Sequence, residues 1–154
     1  MIIYTDGATS NNGQAGAVGG WAFIVVYGNS IIYECSGHIE NATNNICELT
    51  AIIEACKQAA SVNEIVRPTF YTIYSDSAYC INCYKQKWYK KWQQNGWLNS
   101  KKQPVANREL WEQLIPFFEN PNFKFRKVEG HSTNEYNNYV DKLAVAAKEM
   151  KTYS

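Results

Sequence analysis

Apolar and polar residues alternate from Ile2 to Asp6, the period-two pattern of a short half-buried strand. Two further strands are predicted over Gly19 to Gly28 and Ser30 to Ile39, joined by a Gly28-Asn29 turn, so the chain opens as an antiparallel meander. The period then lengthens. Thr43 caps a predicted helix that runs to about Ser61 and carries Ile46, Leu49, Ile52, Ile53 and Cys56 on one face. Pro68 breaks the chain. Thr69 to Ser75, rich in β-branched and aromatic residues, reads as a strand, and a helix opened by Asp76 or Ser77 continues to Asn95-Gly96. A second amphipathic helix follows over Val105 to Phe118 through Leu110, Trp111, Leu114 and Ile115. Phe123 to Val128 alternates as a last strand, and a helix from about Asn134 to Met150 closes the pattern.

The order β-β-β-α-β-α-α-β-α predicts an α/β fold. Its five-stranded mixed sheet is antiparallel through the first three strands and parallel where helical crossovers intervene, with helices flanking it. Sites in such sheets lie beyond the carboxyl ends of strands, near the switch in strand order. Asp6 and Asp76 are each expected to end a strand there.

At 154 residues and 17.6 kDa the chain is read as one domain spanning 1–154, large enough for a core without disulfides. Its longest apolar run, Trp21 to Tyr27, is far short of a membrane span, and the Met1-Ile2-Ile3-Tyr4 start lacks a signal peptide's basic flank. A cytoplasmic location follows as the expectation. Compact length and a first methionine favour a free-standing protein, and a monomer is the expectation. Cys35, Cys47, Cys56, Cys80 and Cys83 form an odd set in apolar segments, which suits buried hydrophobes in a reducing compartment. Cys80-Ile81-Asn82-Cys83 matches C-x-x-C, but no second pair or nearby histidine completes a zinc tetrad.

A net charge of +1 hides a strong asymmetry. Residues 1–84 carry two basic residues against seven acids, whereas 85–108 carry seven basic residues and no acid. Trp88, Tyr89, Trp92 and Trp97 interleave with those cations. Two readings stand: an exposed amphipathic helix with solvated lysines, or a nucleic-acid platform in which lysines meet phosphates and rings lie on sugars or bases. Both can hold on different faces.

The acids point to chemistry. Asp6, Glu48, Asp76 and Asp141 all sit at expected strand ends or helix openings, and four gathered like charges need divalent cations to neutralise them. That pattern suits a metal-dependent phosphodiester hydrolase. Taken singly, Asp76 also fits a helix cap and Asp141 a favourable charge in a first helical turn.

Thr5-Asp6-Gly7-Ala8, the run Thr43-Asn44-Asn45-Ile46-Cys47-Glu48-Leu49-Thr50-Ala51, Ser75-Asp76-Ser77, and Gly130-His131 with Asp141 ten residues beyond the histidine occur in that order. In this the chain resembles the type 1 ribonucleases H, over essentially its whole length. The likeness includes Trp88-x-x-x-Trp92, Gly96-Trp97 and the Asn107 to Trp111 helix start. The resemblance implies an RNase H-like fold with a basic protrusion at about 85–103. It also implies a metal-dependent endoribonuclease that cuts the RNA strand of RNA/DNA hybrids, leaving 5′-phosphate and 3′-hydroxyl ends. Two magnesium ions, for which manganese can substitute, are then held by Asp6, Glu48, Asp76 and Asp141. Asp6 bridges both, Glu48 and Asp76 serve one, and Asp141 serves the other. His131 is implied as a proton carrier or an aid to product release. Asn12, Asn44 and Asn45 are implied to meet 2′-hydroxyls. Thr43, Trp88, Lys90, Lys91 and Trp92 are implied to hold the DNA strand, and Asn107 to bind nucleic acid. Lys91 stands where relatives commonly carry an asparagine, Ile46 where some carry a basic residue, and the Gly7 to Gly20 loop is longer than in many. The alternatives are a catalytically silent hybrid-binding module and the RNase H domain of a reverse transcriptase.

Overall fold

The computed structural model of the protein describes residues 1–62, 70–128 and 134–150. Five strands, β1 (Ile2–Ser10), β2 (Val18–Tyr27), β3 (Ser30–Glu40), β4 (Tyr71–Ser75) and β5 (Phe123–Lys127), form one sheet in the order β3-β2-β1-β4-β5. β1–β2 and β2–β3 pair antiparallel, whereas β1–β4 and β4–β5 pair parallel. The mixed sheet expected from the element order is therefore present. The described residues also form five helices: α1 (Asn44–Val62), α2 (Ala78–Gln86), α3 (Trp88–Asn95), α4 (Arg108–Phe118) and α5 (Glu135–Glu149). Among the described residues, no helix is long and apolar enough to cross a membrane.

Strand alternation divides the core between the two faces of the sheet. Ile3, Phe23, Val25 and Ile73 point to one side, where they meet Leu49 and Ile52 of α1, Ile81 of α2, and Trp111 and Leu114 of α4. Tyr4, Ala22, Ile24 and Val26 point to the other, where Val140 and Ala144 of α5 cover them. Each large apolar side chain so buried contributes roughly 1.5–3 kcal/mol. Close approach of α5 depends on Gly20: a Cβ there would lie 2.2 Å from the Ala144 carbonyl oxygen.

Three features differ from the sequence expectation. Asp6 lies in the middle of β1, because β1 and β2 stay paired as far as Ser10 and Val18. Half of the long Gly7 to Gly20 loop is consequently strand. β4 pairs with β1 only from Ile2 to Tyr4, so Asp6 sits just beyond the last parallel pair. The helix expected from Asp76 or Ser77 to Asn95 is broken at Lys87, whose left-handed backbone (φ 56°) ends α2 and begins α3. Its N–H still closes α2 by donating to the Cys83 carbonyl. α4 starts at Arg108 rather than Val105, and Asn107 precedes it at φ 62°.

Beyond the break, α3 is tied to the core by aromatic rings. Trp92 lies 5.8 Å from Trp97 and 5.6 Å from Trp111, and the Arg108 guanidinium stacks 4.9 Å over Trp97. Tyr89 and Trp97 are buried while Lys85, Lys87, Lys90 and Lys91 are exposed. The solvated-helix reading of the basic segment therefore describes it, with rings packed inward and lysines in solvent.

Candidate active site

Four elements deliver the acids. Asp6 projects from β1, Glu48 from the start of α1, Asp76 from the residue after β4, and Asp141 from α5. Gly7 makes this possible: a Cβ on it would lie 2.7 Å from Cys47 and from the Glu48 backbone nitrogen, so only glycine lets α1 press its first turns onto β1. One carboxylate oxygen each from Asp6, Glu48 and Asp76 then lies within 4.8 Å of the others. Asp141 comes to Asp6 from the other face of the sheet, within hydrogen-bonding reach of its carboxyl.

The Gly7 N–H donates to Asp6 Oδ1 at 2.9 Å and to Glu48 Oε1 at 3.2 Å. Little else compensates these charges. Glu48 is partly exposed as a residue, yet its Oε2 is buried and has no hydrogen-bond partner. Among the described residues, no lysine, arginine or histidine forms an ion pair with any of the four acids. Burial pushes the Asp6 carboxyl up to about 8, with the charges of Asp76 and Asp141 adding to it. Burial, followed by Asp6 and Asp76, holds Glu48 well above the usual carboxylate range. Such a group favours protons or cations over free anionic charge.

Four of the five cysteines fit the reading of buried hydrophobes, whereas Cys35 is only partly buried. Cys47, Cys56, Cys80 and Cys83 are buried free thiols, and burial pushes Cys47 up to about 11 and Cys83 to about 12.

Several polar residues named from the sequence gather around the start of α1. Thr43 Oγ1 accepts from the Ile46 N–H and caps α1. Asn12, in the turn between β1 and β2, accepts from the Asn44 N–H at 2.9 Å, and the Thr9 hydroxyl donates to Asn44 Oδ1. The acceptor oxygens of both asparagines are thus engaged within the protein, leaving their amide NH₂ groups as the ends available to a ligand. Asn45 is exposed beside them. Asn107 lines an open cavity of ≈ 410 Å³ with Ile46, and its side chain hydrogen-bonds the Tyr79 hydroxyl, which also accepts from Trp111 Nε1 at 3.1 Å. Trp88, Lys91 and Trp92 line a separate cavity of ≈ 380 Å³. Lys90 does not join them; it lines a cavity on the other side of α3 with Lys85 and Lys87. His131 lies outside the described residues.

Sequence reasoning passed over Gly7, Tyr79 and Asn134. Gly7 stood inside a quoted motif, and its position next to Asp6 was the available signal. Tyr79 sits three residues after Asp76, one helical turn on. Asn134 was read only as a helix start, and nothing local to it announces a partner in β1.

Comparison with known proteins places these features in context. The family model RNase H matches residues 1–149. A ribonuclease H of Clostridium botulinum is 44% identical over 144 residues, 94% of this chain and 92% of that protein. LC9-RNase H1, a type 1 RNase H with the type 2 active-site motif, superposes with a TM-score of 0.77 at 26% identity, covering 96% of this chain and 71% of that one. LC11-RNase H1, solved in complex with an RNA/DNA hybrid, has a TM-score of 0.69 at 21% identity, covers 96% of each chain, and shares the fold.

Proposed function

The chain belongs to the RNase H family, and we propose that it cuts the RNA strand of RNA/DNA hybrids with two magnesium ions held by Asp6, Glu48, Asp76 and Asp141. It is a ribonuclease H, an enzyme dependent on divalent metal. The proposed products carry 5′-phosphate and 3′-hydroxyl ends. One observation carries the metal reading: the buried, unpartnered Glu48 Oε2 lies in a group of like charges that no cationic side chain among the described residues pairs with. An all-carboxylate set of hard oxygen donors suits magnesium, with manganese as a substitute. When bound, such ions acidify a water nucleophile and neutralise charge on the phosphate and the leaving oxygen.

The protein's own groups divide the work. Asp6 groups with Glu48 and Asp76 and also meets Asp141, which supports it as the shared ligand, with Glu48 and Asp76 serving one ion and Asp141 the other. The Gly7 N–H orients Asp6 and Glu48 at once. His131 carries a proton or assists product release. Asn12, Asn44 and Asn45 recognise RNA by donating amide hydrogens to 2′-hydroxyls, while Thr43, Trp88, Lys90, Lys91 and Trp92 hold the DNA strand and Asn107 binds nucleic acid. The hybrid bound by LC11-RNase H1 supports that substrate. The protein acts as a single cytoplasmic domain over 1–154, a monomer whose affinity is raised by the protrusion at about 85–103. A silent binding module is disfavoured, since uncompensated carboxylates repel the phosphates such a module must hold.

The test uses end-labelled RNA/DNA, RNA/RNA and DNA/DNA duplexes with magnesium or with a chelator. Cleavage confined to the hybrid's RNA strand, dependent on the metal and leaving 5′-phosphates, is expected. Equal cutting of RNA/RNA, or cutting in the chelator, overturns the proposal.

A further inference from the structure

Asn134 joins two parts of the chain that sequence separation keeps 130 residues apart. Its Oδ1 accepts from the backbone N–H groups of Tyr136 (3.0 Å) and Asn137 (3.2 Å), capping α5. Its Nδ2 donates to the Tyr4 hydroxyl at 3.1 Å. Tyr4 belongs to β1 and lies two residues before Asp6, so the two side chains share one face of the sheet. The Tyr4 ring, only 8% exposed, is clamped between Tyr74 of β4 (centroids 5.0 Å apart, planes 15° apart) and Tyr136 of α5 (5.6 Å, 34°). The residue that starts α5 is thereby registered directly against the strand that carries Asp6.

Asp141 lies two turns into the same helix. Its side chain is exposed, so its position is set by where α5 lies rather than by packing around the carboxylate. Among the described residues, other holds on α5 lie at the same level or farther along: Val140 and Ala144 pack on the sheet, the Tyr139 hydroxyl donates to Glu34 at 2.8 Å, His38 Nδ1 donates to the Ala147 carbonyl at 3.0 Å, and Gly20 admits the backbone at Ala144 and Lys148. These leave a slide or rotation of the first turns to be resisted by Asn134, Tyr4 and the Tyr136 stack. Catalytic constellations tolerate displacements of only about 0.5 Å. Magnesium, with ligands near 2.0–2.1 Å and a strict octahedral preference, is less forgiving than calcium.

We propose that Asn134 and Tyr4 are a positioning pair that sets Asp141 against Asp6 in the geometry magnesium requires. Neither touches the reacting atoms. The inference rests on the metal reading proposed above, and its failure can be told apart from the failure of that reading.

Two variants separate positioning from stability. Tyr4→Phe keeps the ring stack and the cap but removes the hydroxyl; Asn134→Ser keeps a capping oxygen but is too short to reach Tyr4. Magnesium binding is measured by calorimetry without nucleic acid, calcium binding in parallel, and thermal unfolding in a chelator. In each variant magnesium affinity is expected to fall about three- to tenfold, the size of one neutral hydrogen bond, while calcium affinity changes less than twofold. The double variant should lose no more than the worse single one, because the two residues act through one bond. Unchanged magnesium affinity in Tyr4→Phe overturns the pair even if Asn134→Ser fails to fold. Equal loss for both metals, tracking the fall in melting temperature, also overturns it in favour of a purely structural contact. If the wild-type protein binds no magnesium, the metal reading and this inference fall together.

Discussion

Asp6 and Glu48 share one backbone donor: the Gly7 N–H lies 2.9 Å from Asp6 Oδ1 and 3.2 Å from Glu48 Oε1. A single N–H cannot offset two buried carboxylates that also face Asp76. The protein therefore holds a charge arrangement that is unfavourable alone and becomes favourable when a cation enters.

Removing one charge should show both sides of that balance. Asp6→Asn and Asp76→Asn are each expected to reduce cleavage by orders of magnitude while the chelated protein becomes as stable as the wild type or more so. Single-turnover cleavage and chemical denaturation check the two halves. Hydrolysis near the wild-type rate in either variant removes Asp6 or Asp76 from the site.

The raised carboxyls also fix a pH dependence. Asp6 titrates near 8 when folded, against 3.8 as the ordinary value, so between those limits the folded state binds more protons than the unfolded one. Its contribution to stability is full below about pH 3.8 and is lost as pH rises through about 8. His38, raised chiefly by its hydrogen bond to Glu40, acts in the same direction above its ordinary value of 6.5. Metal-free stability, measured by urea titration, should therefore fall from pH 5 to pH 8.5. Asp6→Asn should flatten the fall, and saturating magnesium should oppose it, because the metal binds the deprotonated site. A metal-free stability that rises across this window contradicts the assigned charge states.

His131→Ala is expected to slow cleavage by about ten- to a hundredfold, in the range of a lost proton carrier, with magnesium affinity nearly unchanged. Calorimetry decides the matter. Loss of metal binding in the variant would make His131 a builder of the site rather than an aid to turnover.

Binding by the protrusion should be salt-sensitive and divisible. Replacing Lys90 and Lys91 together with alanine should lower the slope of log K against log salt by about one to two units. The lysines line different cavities, so the single variants should add without coupling. Trp88→Ala should weaken binding with little effect on the slope, since its ring offers apolar contact rather than charge. Titrations in calcium measure binding while supporting little cleavage. An unchanged slope in the double variant reduces the segment to a solvated helix.

The local pattern of the chain carried the five strands, the helices, the mixed sheet and the order of the acidic motifs. A residue's burial face repeats every two or 3.6 positions, so these features are written into neighbouring residues. Ile3 and Tyr4 show it: adjacent in sequence, they enter cores on opposite faces of the sheet. What depends on the path of the whole chain was not legible in this way. Asp6 was expected at a strand end, yet β2 keeps β1 extended for four more residues because pairing partners, not propensity, decide where a strand stops. The helix through the basic segment was expected to be continuous, but the anchoring of Tyr89, Trp92 and Trp97 goes with a left-handed turn at Lys87 that sends Lys90 and Lys91 to different cavities. Asn12 became a brace for Asn44, and Asn134 a link to Tyr4, through hydrogen bonds across 32 and 130 residues. The sequence by itself determined which acids exist and on which elements they ride. Their distances, shared donor and raised proton affinities were decided only when the sheet and helices packed, because electrostatic and hydrogen-bond energies depend on separation in space rather than along the chain.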